Sequence, residues 1–77
     1  MVNGKLEYNY QNNRYGITNH SGKWIDSGLH CGECFEIFLN GKWEPTRIEM
    51  MWKNGNGKYY LIGFENLDID GLIVRKK

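Results

Sequence analysis

Short segments in which apolar and polar residues alternate follow one another along the whole chain. Alternation of this kind has the period of a half-buried β-strand. Glycine- and asparagine-rich turns separate the segments, and no stretch shows the repeat of an amphipathic helix. The predicted strands cover residues 5–10, 14–18, 23–25, 35–39, 43–52, 58–64 and 72–75. The pattern therefore predicts an all-β protein.

The turns between these segments carry their own signals. Asn40-Gly41 is the strongest, because a type I′ hairpin turn needs positive φ at both central residues. Residues 54–57, with the sequence Asn-Gly-Asn-Gly, predict a second hairpin loop. Pro45 lacks an N–H group, so we expect it on an edge, at a bulge or near a strand start. Residues 65–70 are expected to hold a 3₁₀ turn before the last strand.

Chain length selects among the all-β folds. Seventy-seven residues are too few for the two full sheets of a sandwich. We therefore expect a single domain, residues 1–77, folded as a small SH3-like barrel of five to six short antiparallel strands. Near-closure of a barrel would also leave few exposed strand edges. Three Trp, five Tyr and three Phe supply much of the dense core that a chain of this size requires.

Charge is almost balanced along the chain. Ten Lys and Arg against nine Asp and Glu give a net charge of +1, so no global field favours nucleic acid or an anionic membrane. No apolar run reaches the length of a membrane span. Two cysteines without an export signal are expected to be reduced thiols. We expect a cytoplasmic protein that does not contact membranes and is a monomer or weak homodimer.

Two resemblances follow from longer strings of residues. Gly32-Glu33-Cys34-Phe35-Glu36-Ile37, followed by Asn40-Gly41-Lys42-Trp43 and Thr46-Arg47-Ile48-Glu49, resembles the opening hairpin of SH3-like and Tudor-like barrels. Residues 28–36, 43–49, 60–63 and 70–75 together resemble a family of small bacterial proteins of unknown function. That family occurs in low-GC Gram-positive bacteria, their phages and conjugative elements. The resemblance implies a mobile-element context and carries over no activity, ligand or catalytic residue.

The segment His30-Cys31-Gly32-Glu33-Cys34 is the first candidate for chemistry. One Cys-x-x-Cys pair together with a histidine offers zinc ligands. The sequence has no second Cys-x-x-Cys pair and no His-x₃₋₅-His pair, which are the usual partners in a structural zinc site. A redox pair of the thioredoxin type would lie at a helix N-terminus in a βαβ unit, which the pattern does not predict. We expect instead that Cys34 enters the barrel strand as a small hydrophobe and Cys31 packs at its lip. No cofactor is predicted.

Catalysis has little support in the sequence. There is no Ser-His-Asp order, no phosphate-binding glycine loop and no helix carrying metal ligands. Acid–base pairs can be drawn among the histidines and glutamates, as in any chain of this size. Small chains seldom enclose a substrate cavity of about 300 Å³ or more. We expect a protein that is not an enzyme.

Docking of a protein partner is the favoured function. SH3-like barrels present an aromatic-lined groove between their loops, and residues 26–32 and 53–57 would flank such a groove here. Three tryptophans exceed what one small core buries, and an exposed Trp ringed by polar residues is a typical binding hot spot. The candidate binding residues are Trp24, Trp43, Trp52, Tyr59 and Arg47.

Binding of single-stranded nucleic acid is the alternative. Bases would stack on aromatic residues, and cations interleaved with them would follow the phosphate backbone. The aromatic residues are Trp24, Trp43, Trp52, Tyr59 and Tyr60, and the cations are Lys23, Lys42, Arg47, Lys53 and Lys58. A domain that binds nucleic acid usually carries a basic stripe, and a chain with a net charge of +1 does not favour one. The sequence therefore ranks a protein partner first and nucleic acid second.

Overall fold

A computed structural model describes residues 2–77, which form one antiparallel sheet of seven strands. Along the sheet the strand order is β3-β2-β1-β7-β4-β5-β6. The strands are β1 Val2–Asn9, β2 Arg14–Thr18, β3 Trp24–Asp26, β4 Cys34–Leu39, β5 Lys42–Lys53, β6 Asn56–Leu61 and β7 Ile73–Lys76. The all-β prediction is confirmed. No helix long and apolar enough to cross a bilayer occurs in this part of the chain.

The predicted barrel of five to six strands needs correction in both strand number and closure. Each alternating segment forms a strand of its own, and β5 is long enough to pair with β4 and then with β6. Seven strands make a wide sheet, and within residues 2–77 its two end strands, β3 and β6, do not pair with each other. The fold is therefore an open sheet rather than a closed barrel.

Side chains bring the two arms of this open sheet together. The ring of Tyr59, on β6, packs edge-on against the ring of Tyr15, on β2, at 5.7 Å between centroids. The Tyr59 hydroxyl also donates a hydrogen bond to the Asn13 carbonyl oxygen at 3.1 Å. The sheet consequently curves, and its concave face encloses the core.

The core consists of apolar residues on the inner face of the strands and in the loops that cover their ends. Cross-strand partners pair in it: Leu6 faces Ile17, and Ile48 faces Leu61. The buried apolar residues are Leu6, Ile17, Leu29, Phe35, Ile37, Ile48, Leu61, Ile69 and Val74. Burial of each such side chain stabilises the fold by about 1.5–3 kcal/mol before entropy is counted.

Both asparagine-glycine turns have the conformation of type I′ hairpins. Asn40 and Gly41 have φ of 52° and 78°, and Leu39 pairs with Lys42 as predicted. Asn54 and Gly55 have φ of 53° and 79°, and the pair that closes this second turn is Lys53 with Asn56. The second loop is therefore two residues long, not four, because residues 56 and 57 extend β6.

Two further local predictions have different outcomes. Pro45 lies inside β5, at a point where β6 has not yet begun on the other side of the strand, so it occupies an edge position as expected. Residues 65–70 contain isolated turns, closed by the i→i+3 hydrogen bonds of a 3₁₀ turn, and do not form a longer 3₁₀ helix. One such turn is closed by the Leu67 N–H, which donates to the Phe64 carbonyl oxygen at 3.0 Å. Ile69 and the partly buried Leu67 anchor the loop in the core.

Candidate functional site

Four tyrosine rings form a continuous row at one end of the concave face. Consecutive centroids lie 4.9 Å apart from Tyr10 to Tyr8, 5.2 Å from Tyr8 to Tyr15 and 5.7 Å from Tyr15 to Tyr59. Tyr8 and Tyr15 are directly opposite each other in the β1–β2 pair, so the sheet register itself brings them together. Edge-to-face contact of this kind is a preferred arrangement of aromatic rings.

Three of these rings, Tyr8, Tyr15 and Tyr59, form one wall of a groove of about 620 Å³. The groove lies between the β1–β2 hairpin and the β5–β6 hairpin, and residues 66–70 form its end. Its lining includes four aromatic and two acidic side chains: Tyr8, Tyr15, Trp52, Tyr59, Asp68 and Asp70. The site thus combines flat apolar surface with negative charge.

The negative charge of the groove comes from one segment of the chain. Residues 59–74 contain no lysine or arginine, and two of their three acidic residues, Asp68 and Asp70, line the groove. Among the described residues that line the groove, Lys58 is the only cation. Two carboxylates close together at one end of an apolar wall favour a ligand that carries positive charge there.

Hydrogen bonds fix the two aspartates at the tyrosine row. The Tyr15 hydroxyl donates to Asp70 Oδ1, and the Asp70 backbone N–H donates to Asp68 Oδ1 at 3.1 Å. Burial, the hydrogen bond to Asp70 and the charge of that carboxylate all raise the pKa of Tyr15. Each carboxylate keeps an oxygen that these bonds do not use, so the aspartates remain able to accept a hydrogen bond from a ligand.

Two of the predicted binding residues, Trp52 and Tyr59, lie in this groove. Trp52 faces Gly57 across the β5–β6 pair, and its indole comes within 3.1 Å of the position that a Cβ atom on Gly57 would occupy. The ring therefore rests on the glycine and remains 69% exposed. Tyr59 is half-buried, and burial raises its pKa.

Trp43 lies on the outer, convex face of the sheet. Its ring packs against Phe38, its partner in the β4–β5 pair, at 5.1 Å between centroids. The Arg75 guanidinium covers it at 4.2 Å, and Arg75 Nε donates to Glu36 Oε1 at 2.6 Å. That ion pair holds the pKa of Glu36 below its usual value. Trp43 is therefore held by its neighbours and is separate from the groove.

The remaining predicted residues, Trp24 and Arg47, lie outside the groove as well. Trp24 covers Gly16, where a Cβ atom would come within 2.9 Å of the indole. Arg47 is exposed on β5 and pairs with Glu49 at 3.0 Å. Of the two loops predicted to flank a groove, residues 53–57 contribute Gly57 to the lining, and no described residue of 26–32 lines it.

The binding residues predicted from the sequence did not include Tyr8, Tyr15, Asp68 or Asp70. A signal for the first two existed, because the alternation of residues 5–10 and 14–18 predicts tyrosines on the inner face of paired strands. The position of the aspartates depends on how an irregular loop folds back onto that face. No periodicity encodes such a path.

The cysteines need a correction. Both Cys31 and Cys34 are exposed and free. Cys34 is not a core residue of its strand, because its neighbour Phe35 occupies the inner face and turns Cys34 outward, opposite Arg47. Within residues 2–77 no three His, Cys, Asp or Glu side chains are grouped closely enough to hold a metal ion.

Comparison with known proteins gives a family and a fold. Residues 4–76 match the family described as a domain of unknown function, DUF5348. A crystal structure of a protein from Ruminococcus gnavus is similar to the chain at 37% identity and a TM-score of 0.79. The alignment covers 97% of this chain and 100% of that one. No curated protein matches the sequence.

Proposed function

The chain belongs to the DUF5348 family, a domain of unknown function, and from its groove we propose that it is a non-enzymatic accessory binding module that docks a protein partner. The partner contributes an extended segment with arginine or lysine side chains. One observation carries this proposal: three tyrosine rings in mutual contact lie beside two carboxylates inside one groove.

The groove offers a guanidinium both of the contacts that it prefers. A tyrosine ring face attracts a cation placed over it, by about 0.5–1 kcal/mol at an exposed site. A carboxylate accepts charge-assisted hydrogen bonds from the same group, often two at once. Tyr15 and Asp70 are hydrogen-bonded to each other, so a single arginine side chain is able to contact both. Trp52 adds exposed aromatic surface beside them.

Nucleic acid stays the second candidate because Trp52 is exposed and suitable for stacking. Lys53 and Lys58, near the tip of the same hairpin, would favour phosphate. The aspartates in the groove oppose it, since a phosphate backbone placed there would meet like charge. The balance supports a protein partner over a nucleic acid.

The resemblance of the sequence to a family of small bacterial proteins extends the proposal to the cellular context of the protein. We place the protein in the cytoplasm of a low-GC Gram-positive bacterium, as an accessory of a phage or conjugative element. We also propose that it works as a monomer or a weak homodimer. The partner would then be another protein of the same element or of its host.

A short synthetic peptide tests the docking proposal. The arginine peptide has seven residues, with arginine at the second, fourth and sixth positions and threonine elsewhere. A matched peptide carries glutamate in place of arginine. Titration calorimetry at low and physiological salt should show binding of the arginine peptide alone. Asp70→Asn and Asp68→Asn should each weaken it by about tenfold, since a hydrogen bond to a charged group contributes about 1.5–3 kcal/mol.

Glu49→Gln is the matched control for the aspartate substitutions. It removes one carboxylate on the outer face, where Glu49 pairs with Arg47, and should leave the affinity within about twofold. Equal binding of the two peptides would refute the proposal. Salt-sensitive binding of an oligonucleotide in the micromolar range or tighter would favour the nucleic-acid candidate instead.

A further inference from the structure

The groove borders one of the two free edges of the sheet. β6 ends the strand order, and within residues 2–77 no strand pairs on its far side. Gly57, Lys58 and Tyr59, all on β6, line the groove. A ligand in the groove therefore lies beside a strand edge.

The alternation of hydrogen-bonded and non-hydrogen-bonded residue pairs between β5 and β6 shows which backbone groups of β6 face its free edge. The Ile62 N–H donates to the Arg47 carbonyl oxygen at 3.1 Å, one step beyond the last residue pair of the ladder. Bonded and non-bonded pairs alternate in an antiparallel ladder. Residues 56, 58 and 60 consequently bond to β5, whereas residues 57, 59 and 61 direct their backbone groups to the free side.

Part of this free edge is already used. The Leu61 carbonyl oxygen accepts a hydrogen bond from the Phe64 N–H at 3.0 Å. The N–H and C=O groups of Gly57 and Tyr59, and the Leu61 N–H, remain on the open side. These five groups span the length that a short extended peptide needs for pairing.

Side-chain direction links the edge to the groove. Leu61 is buried and Tyr59 lines the groove, so the residues with free backbone groups also face the concave side. In an antiparallel pair, directly opposed residues point their side chains to the same face. A residue of an added strand opposite Tyr59 would therefore direct its side chain into the groove, beside Tyr15 and Asp70.

We infer that the partner segment binds as an added strand, antiparallel to β6, with every second side chain a cation that enters the groove. This inference rests on the proposed function and specifies its geometry. Main-chain bonds to Gly57 and Tyr59 would supply affinity, and the carboxylates of Asp68 and Asp70 would select the side chains. A second copy of this chain fits less well, because pairing two β6 edges would bring two negatively charged grooves together.

Backbone methylation of the arginine peptide separates this geometry from simple groove binding. In the antiparallel arrangement, the residues whose side chains enter the groove are those whose N–H groups bond to β6. One derivative therefore carries N-methyl groups on its three arginines, and a second carries them on the three threonines that follow the arginines. We expect the first to bind at least about tenfold more weakly than the parent peptide and the second to bind within about threefold.

Hydrogen exchange of the protein provides the second measurement. In the peptide complex the amide protons of Gly57, Tyr59 and Leu61 should exchange at least about tenfold more slowly than in the free protein. Those of Asn56, Lys58 and Tyr60, which already bond to β5, should change little. They serve as controls on the same strand.

Each remaining outcome overturns the inference and identifies what failed. If the arginine peptide binds but both methylated derivatives bind equally well, groove docking stands and strand addition is wrong. If the derivative methylated on its threonines binds more weakly than the one methylated on its arginines, the added strand is parallel to β6. If no arginine peptide binds, the proposed function fails as well. If the amide protons of Gly57, Tyr59 and Leu61 exchange slowly without peptide, and more slowly as the protein concentration rises, a second copy of this chain pairs with the edge instead.

Discussion

The two edges of the sheet differ in how far they are protected. β3 has three residues, and its pairing with β2 is interrupted by an irregularity between Ile17 and Thr18. It ends at Asp26, whose carboxylate lies 3.6 Å from Lys76 Nζ. β6 has six residues in unbroken register with β5, and Lys58 is its only charged residue. Short length, irregular pairing and charge are the features that stop an edge from pairing further, and only β3 combines them.

The chain beyond each strand adds to the contrast. After β3, the Ser27 carbonyl oxygen accepts side-chain bonds from Asn9 at 3.0 Å and Asn12 at 2.9 Å. These bonds hold the connection against the β1–β2 hairpin. After β6, no such bonds between described residues cover the Gly57 and Tyr59 backbone groups, which remain on the free edge beside the groove. An edge that stays long, regular and bordered by aromatic rings is suited to binding, whereas the other edge is short and irregularly paired.

A glycine-to-alanine substitution next to each edge strand should give the largest difference in the free energy of unfolding. A Cβ atom on Gly16 would overlap the Asp26 backbone carbonyl, so Gly16→Ala should displace β3 and cost about 2–3 kcal/mol of unfolding free energy. On Gly57 it would meet the Met50 sulfur at 2.9 Å and the Trp52 ring, which are side chains able to move. Gly57→Ala should cost less than about 1 kcal/mol. Urea unfolding measures both, and equal losses would contradict the comparison.

The hairpin turn before β6 offers a second, smaller test. Gly55 has φ of 79°, where a β-branched residue is strongly disfavoured, so Gly55→Val should destabilise by more than about 1 kcal/mol. Gly41→Val introduces the same strain at φ of 78° in the β4–β5 turn and should have a similar cost. Only Gly55→Val should also weaken the arginine peptide, because only that turn positions β6. Unchanged urea midpoints would refute the turn assignments.

Alkaline pH should lower the free energy of unfolding through Tyr15. The pKa of Tyr15 in the fold lies above the usual value of about 10, so the unfolded chain loses that proton at lower pH. Stability is therefore full below about pH 10 and decreases as the pH rises further. Tyr15→Phe should reduce this decrease. Tyr10→Phe, at a ring that is 85% exposed, should not. Identical stability profiles above pH 10 for wild type and Tyr15→Phe would show that Tyr15 does not contribute.

Local patterns in the sequence predicted much of the fold and less of the site. The alternation of apolar and polar residues located every strand, and Asn40-Gly41 predicted the type I′ turn between β4 and β5. Both signals act over only a few residues. Local signals could not predict whether the sheet closes into a barrel. Closure depends on how far a long strand such as β5 curves between its two partner strands. Trp52 and Tyr59 were chosen as exposed aromatic residues and lie in the groove. Trp43 was chosen by the same reasoning, but a distant residue, Arg75, covers it.

The three tryptophans provide the most direct measurement of the central proposal. Each indole N–H gives its own signal in a two-dimensional nitrogen–proton NMR spectrum, and only Trp52 lines the groove beside β6. Titration with the arginine peptide should shift the Trp52 signal and leave those of Trp24 and Trp43 in place. The glutamate peptide should shift none of the three. Movement of Trp24 or Trp43, with Trp52 unchanged, would contradict the account.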